Sequence, residues 1–429
     1  MLAPRAEART LLRVPAEDLA SRFRAVRAAT ERLVEPLSDE DCAIQSMPDA
    51  SPTKWHLAHT TWFFETLVLE RQPGYRSPHP AYRELFNSYY QSLGEPYPRP
   101  RRGLLSRPSL DQVHSYRAQV DDAILSLLEQ GEPRDPALTD VIELGLQHEQ
   151  QHQELLVTDV KHLLSCNPLG PAYLEKAESP PGGDPAPVEW LAFEPGLGAI
   201  GHDGPGFAFD NERPRHRVFV RPFALASRPA TNREYLAFVE DGGYERPELW
   251  LSDGFAALGR GGWRAPLYWR RGPEGWSALT VAGVRPVRAE EPVCHVSYFE
   301  ADAFARWSGA RLPSEAEWEL AAAGAPVEGH FAESGYFHPA PTRPRPGRPT
   351  ALFGDVWEWT ASAYAPYPGF RPLSGPLGEY NGKFMCSQLV LRGGSCATPA
   401  SHIRPTYRNF FYPDARWQFS GIRLARDPA

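Results

Sequence analysis

His148-Glu149-Gln150-Gln151-His152-Gln153-Glu154 sets two histidines four residues apart. On an α-helix that spacing places them on one face, about one turn from each other. Both imidazoles can then reach a single metal ion. The surrounding segment, Ala137 to Cys166, contains no proline, and its only glycine is Gly145, so a single long helix is expected. Val141, His148, His152 and Leu155 fall near one stripe, which turns the histidines toward the buried face. Glu154 lies about 200° round the helix from His152. That position suits an outer hydrogen-bond acceptor or a surface charge better than a third ligand. Gln151 is placed to tilt into the cavity beside a metal.

Working outward, residues 1–166 read as helical. A first helix is expected from about Pro15 to Pro36, with Leu19, Phe23, Val26 and Leu33 on a stripe. A second starts after Ser51-Pro52-Thr53 and runs to about Glu70. A third covers about Ser109 to Gln130. Four helices of this length predict a bundle, whose core is a common place for metal sites. The third ligand should come from another helix. Helix two offers His56 and His59; His59 continues into Phe63 and Leu67 on one stripe and is preferred, with His56 the rival. His114 and His162 are weaker candidates. Three neutral imidazoles suit Zn(II), Fe(II) or Cu at ~2.0–2.2 Å, and spacing alone leaves the metal open. The long connection 72–107 carries Tyr89 and Tyr90. It begins beside the proposed metal, where a phenol has a proton to give.

The chain has 429 residues and a net charge of −8, enough for two or three domains. No Lys/Arg-rich run tracks phosphates, which argues against nucleic acid and anionic membranes as partners. No segment approaches the ~20 apolar residues of a membrane span, and the N-terminus has no apolar targeting core. Five scattered cysteines (Cys42, Cys166, Cys294, Cys386 and Cys396) without a CxxC pair suit free thiols in a reducing cytoplasm. Residues 167–187, rich in Pro and Gly, read as a linker. From 188 to 429, short apolar-aromatic runs alternate with turns, predicting an irregular α+β domain. Helices stand out at Asn232–Glu240, and at Tyr298–Ser308 followed by Ser314–Ala323.

Four motifs then occur in order: Arg311-Leu312-Pro313-Ser314-Glu315-Ala316-Glu317-Trp318-Glu319, Gly354-Asp355-Val356-Trp357-Glu358-Trp359, Leu391-Arg392-Gly393-Gly394-Ser395 and Gly421-Ile422-Arg423-Leu424. From about Glu189 to Arg426 the chain resembles the formylglycine-generating-enzyme (sulfatase-modifying factor) domain, a C-type-lectin-like fold. The first half, with Leu57-Ala58-His59 and His148-x3-His152-x-Glu154, resembles the DinB-like metal-binding four-helix bundle. In this order the pair resembles the ergothioneine-biosynthesis sulfoxide synthases, the hercynine oxygenases. The resemblance implies non-haem Fe(II) held by His59, His148 and His152. It also implies O2-dependent C–S bond formation between a thiol and the imidazole C2 of Nα-trimethylhistidine, giving a sulfoxide.

Two departures qualify the resemblance. A formylglycine-generating enzyme carries a copper-binding cysteine pair just after the RGGS motif. Here Cys396 follows Ser395 directly, and Ala397-Thr398-Pro399 brings no second Cys. The domain therefore reads as a recruited scaffold, with Cys396 structural. The mycobacterial-type branch has an Asp where this chain has Phe411, and a catalytic tyrosine at a position that falls near Leu377. Their absence leans toward cysteine over γ-glutamylcysteine as thiol. Ser88-Tyr89-Tyr90-Gln91-Ser92 resembles the other bacterial branch, in which adjacent tyrosines serve the iron site. By the same resemblance Gln151, Tyr380 and Asn409 line the trimethylhistidine pocket, and Phe410 and Phe411 close its wall. A quaternary ammonium favours aromatic faces. Competing readings are a metal-dependent low-molecular-weight thiol transferase, an ovothiol-type synthase, and a non-catalytic lectin-like binding module.

Overall fold

A computed structural model describes residues 16–129, 136–175, 187–341 and 345–428. Pro15, Gln130 and most of the expected linker (176–186) lie outside the described residues. The first half contains α1 (Ala16–Val34), α2 (Asp39–Ala43), α3 (Thr53–Leu67), α4 (Tyr82–Leu85), α5 (Leu110–Glu129) and α6 (Pro136–Ser165). The long helices α1, α3, α5 and α6 pack as the bundle.

All fifteen residues of α3 are buried. Only part of that burial comes from α5 and α6. The connection 68–109 folds over the remaining side. Trp62 Nε1 donates to the Arg83 carbonyl at 2.9 Å, and Lys54 Nζ to the Leu105 carbonyl at 2.8 Å. A helix that would be polar-faced on a surface is thereby enclosed, and its histidines are removed from water.

On α6, the residue next to His148 is a buried carboxylate. Glu149 accepts from Arg117 (2.6 Å), Arg27 (2.8 Å) and Thr30 (2.7 Å). Burial alone would push its carboxyl up; the two guanidiniums outweigh that and hold it down to about 2. The charge therefore persists at neutral pH and ties α1, α5 and α6 together.

Gly145 lets α3 approach α6. A Cβ built there would stand 2.5 Å from Cε1 of Phe64 and 3.1 Å from Cε1 of Phe63. Gly145→Ala is expected to destabilise the protein by about 1–2 kcal/mol. Overpacking of roughly 1–3 kcal/mol exceeds a helix-propensity gain of about 1 kcal/mol. Chemical denaturation reads the difference, and an unchanged or raised midpoint would refute the close approach.

In the second half α7 (Asn232–Glu240), α9 (Tyr298–Trp307) and α10 (Glu315–Ala321) each begin with a reciprocal cap: Thr231 with Glu234, Ser297 with Glu300, and Ser314 with Glu317. Such caps are legible in sequence. α8 (Ser252–Gly261) was not expected. It has no side-chain N-cap and carries glycines at 254, 259 and 261, so its propensity signal is weak. Its helix forms by packing: a Cβ at Gly254 would lie 2.8 Å from Phe299.

A four-stranded sheet runs Asn409–Phe411, Leu389–Arg392, Trp357–Ala363, Ser420–Gly421, with the last pair parallel. A second sheet places Phe223–Ala226 between Trp190–Phe193 and Ala425–Arg426, joining the start of this half to its end. The four sequence motifs meet in two buried polar clusters, both anchored on α10. Trp318 Nε1 donates to Glu358 at 2.6 Å, and Arg423 pairs with the same carboxylate at 2.7 Å. Arg392 reaches Glu319 at 2.8 Å and Glu315 at 3.2 Å. A single apolar core runs through both halves. Among the described residues no helix is long and apolar enough to cross a membrane.

Candidate metal centre

His59 from α3 and His148 and His152 from α6 bring one ligand nitrogen each to within 4.8 Å of one another. Their ring centroids lie 4.6 to 4.9 Å apart. Burial lowers the pKa of all three: His148 falls to about 3, and His59 and His152 fall well below the usual imidazole value. Neutral rings carry a lone pair for a metal.

Tautomer follows from the hydrogen bonds. His59 Nδ1–H donates to the Phe86 carbonyl at 2.7 Å, so its Nε2 is unprotonated. That nitrogen faces His148 Nε2 at 3.2 Å. Two ligands at ~2.1 Å from one ion stand about 3 Å apart, so the spacing fits a shared cation. Among the described residues no carboxylate joins the cluster. Trp55 and Trp62 sandwich the His59 ring, at 4.5 and 5.5 Å with near-parallel planes, and Phe63 stacks on His148 at 4.7 Å. The rings are thus held by packing as well as by hydrogen bonds.

Three further histidines of the first half are not members of the cluster. His56 lies outside the cluster, with Nδ1 2.8 Å from His152 Nδ1 and Nε2 3.0 Å from Asp159. His114 pairs with Glu31, and His162 with Ser46.

The second half closes over this cluster. The Tyr380 ring meets His148 at 5.8 Å, and its hydroxyl donates to Gln151 Oε1. Gln151 Nε2 donates to Tyr407 at 2.7 Å; Tyr407 bonds His402 Nε2 at 2.9 Å, and His402 Nδ1 bonds Gln147 at 2.7 Å. Phe209 stacks on Tyr380 at 5.5 Å. Glu154 is buried and is no surface charge. It accepts from Ser395 (2.5 Å), Thr398 (2.6 Å) and Trp357 (2.8 Å). It is not the outer acceptor expected beside the metal either: its donors come from the second half and not from the histidines. Gly393 makes this possible: at φ +100° its missing Cβ would lie 2.4 Å from the Leu352 carbonyl, and the turn carries Ser395 to α6.

Tyr89 and Tyr90 stack at 4.6 Å, their hydroxyls 3.5 Å apart. Tyr90 is fully buried and its ring lies 5.5 Å from Trp62. Burial pushes both phenols up, so both keep their protons at neutral pH. Asn87 clips the loop by exchanging hydrogen bonds with the Tyr90 backbone at 2.9 Å. Phe384 bridges to the second half, 5.1 Å from Tyr89 and 6.1 Å from Phe410. Phe410 in turn stacks on Tyr364 at 4.0 Å. Asn409 accepts from the following amide through Oδ1, and Phe411 is half-buried against the core. Tyr380 therefore meets His148 directly and holds Gln151, whereas Phe410 reaches Tyr89 through Phe384. Leu377 is buried, as is Cys396, a free thiol.

Sequence reasoning missed Trp55, Asp159, Tyr407 and His402. Trp55 stands four residues before His59, a spacing that could have exposed it. Tyr407 and His402 lie outside any long helix or strand, where no periodicity points to them.

The two halves match known families separately. Residues 22–156 match the DinB superfamily, and residues 185–345 and 350–428 match the sulfatase-modifying factor enzyme 1-like domain. A bundle holding a buried trihistidine cluster, closed by such a domain, defines a two-part class of proteins with a candidate metal centre. Curated relatives narrow it. The hercynine oxygenase of Mycolicibacterium thermoresistibile is 35% identical, over 96% of this chain and 95% of its own. That of Mycobacterium tuberculosis is 35% identical, over 96% and 99%. A formylglycine-generating enzyme of Streptomyces coelicolor is 31% identical, over 52% of this chain and 84% of its own. Among solved structures, PvdO from Pseudomonas aeruginosa matches at 21% identity and a TM-score of 0.38, covering 58% of this chain and all of that one. This chain belongs to the hercynine oxygenase family.

Proposed function

We propose that the protein joins the sulfur of cysteine, or of γ-glutamylcysteine, to the imidazole C2 of Nα-trimethylhistidine (hercynine), with O2 as oxidant. The observation that carries this reading is the convergence of His59, His148 and His152 where Tyr380 and Gln151 arrive from the two halves. A non-haem Fe(II) held by these three histidines would supply the redox chemistry of O2. The reaction balances: the thiol loses S–H, C2 loses C–H, one oxygen stays on sulfur and the other leaves as water.

The chain's own residues then have separate tasks. Gln151, fixed between Tyr380 and Tyr407, presents oriented polar groups beside His148. Asn409, Phe410 and Phe411 form the pocket wall, and the aromatic faces suit a trimethylammonium group. Tyr89 or Tyr90, protonated and buried, supplies a proton as the C–S bond forms. Phe411, in place of an acidic residue, favours cysteine as the thiol. Residues 1–166 hold the metal, 188–429 close the substrate pocket, and 167–187 join them. Five free cysteines support a reducing, cytoplasmic setting.

The test is O2 uptake by Fe(II)-loaded protein given hercynine with cysteine and γ-glutamylcysteine in competition, with products weighed by mass spectrometry. Tight zinc and no uptake would move the protein to the thiol-transferase reading. Tyr89→Phe and Tyr90→Phe are expected to shift the product ratio from sulfoxide toward cysteine sulfinate, by about 10-fold or more in at least one variant. An unchanged ratio in both removes the tyrosines from the chemistry.

A further inference from the structure

His56 and Asp159 have no place in the chemistry above, yet both are buried within reach of His152. Asp159 Oδ2 lies 3.0 Å from His56 Nε2 and also accepts from the Ser51 amide at 2.8 Å. A carboxylate only accepts, so His56 Nε2 carries the hydrogen. In a neutral imidazole the other nitrogen is then an acceptor. His56 Nδ1 faces His152 Nδ1 at 2.8 Å, so the hydrogen between them belongs to His152. The consequence for His152 is that Nδ1 is protonated and Nε2 keeps the lone pair, on a ring centred 4.6 Å from His148 and 4.8 Å from His59.

We propose that His56 and Asp159 are positioning residues that form a carboxylate–imidazole–imidazole relay, selecting the Nδ1–H tautomer of His152 and so setting how tightly the centre holds its metal. The relay gives each ligand ring of known hydrogen bonding a distinct outer partner: a backbone carbonyl for His59, and an ionisable chain for His152. His148 is the contrast, since its buried Nδ1 has no hydrogen-bond partner among the described residues. Hydrogen bonds of this kind orient a ligand ring and raise its basicity. The relay also explains why His56, three residues from His59, is not itself in the cluster: Asp159 turns its Nε2 away.

This inference rests on the reading of the three histidines as a metal centre, and two measurements separate the two. The first is long-range 15N–1H correlation on zinc-loaded, full-length protein with labelled histidines. It should show His152 protonated at Nδ1 and metal-bound through Nε2, with His56 protonated at Nε2. His152 ligating through Nδ1, or His56 bare at Nε2, would overturn the relay while leaving the centre intact. Absence of zinc binding would overturn both. The second is Co(II) titration, read by its visible ligand-field bands. Asp159→Asn should weaken binding about 10-fold and His56→Phe about 10- to 100-fold, both with shifted bands. Unchanged affinity and bands in folded Asp159→Asn would refute the relay. Should His56→Phe fail to fold, the NMR assignment on unmodified protein still decides.

Discussion

Alanine in place of His59, His148 or His152, one at a time, is expected to strip most of the metal. kcat/KM for sulfoxide formation should fall by about 10³-fold or more, about 4 kcal/mol of lost transition-state stabilisation. The reason is the donor set. Among the described residues the cluster is three imidazoles with no carboxylate, so removing one leaves two neutral donors. The fold should survive each change. Without a metal, His59 Nε2 and His148 Nε2 share a hydrogen bond at 3.2 Å, and losing it costs only about 1 kcal/mol. Metal analysis, circular dichroism and steady-state kinetics on the same preparations check the prediction. Full occupancy in His59→Ala, with loss in His56→Ala, would reassign the third ligand to His56.

Breaking the ion pair at the heart of the second half should have the largest effect on stability. Arg423 and Glu358 are both fully buried. Arg423 Nε meets both carboxylate oxygens at 2.9 Å, and its other nitrogens donate to the carbonyls of Ala226, Thr350 and Ala351. Burial pushes the Glu358 carboxyl up and Arg423 opposes this. Arg423→Met keeps the bulk but leaves a buried carboxylate and three carbonyls unpaired, at a cost of about 3–5 kcal/mol. Glu358→Gln in the same chain should recover part of the loss, because the amide still accepts from Trp318 Nε1 and carries no charge. Denaturant unfolding of the single and double variants reads both. A single-variant loss under about 1 kcal/mol would show that water reaches Glu358.

Much of the architecture was open to a reader of residues. The i, i+4 histidines, the stripes of the bundle and the reciprocal caps of α7, α9 and α10 are local signals, and local signals survive into the fold. α8 was hidden because its glycines erase propensity and its stability comes from Phe299, which is distant in sequence. Gln151 was legible from its place just before His152, Tyr380 could be set beside the histidines only by resemblance, and nothing in the residues set the RGGS turn against α6. Their convergence depends on how the second half lies against α6.

The chain by itself put two histidines on one helix face and favoured a third donor on helix two, with His114 and His162 as weaker candidates. Which of His56 and His59 turns toward the cluster was decided only in three dimensions. A three-residue separation leaves both near one face, so helical geometry barely distinguishes them. The Phe86 carbonyl takes the Nδ1 hydrogen of His59 and frees its Nε2, while Asp159, from another helix, draws His56 aside. Glu154 makes the same point: angle along α6 excluded it as a ligand, but only packing of the second half showed what it holds.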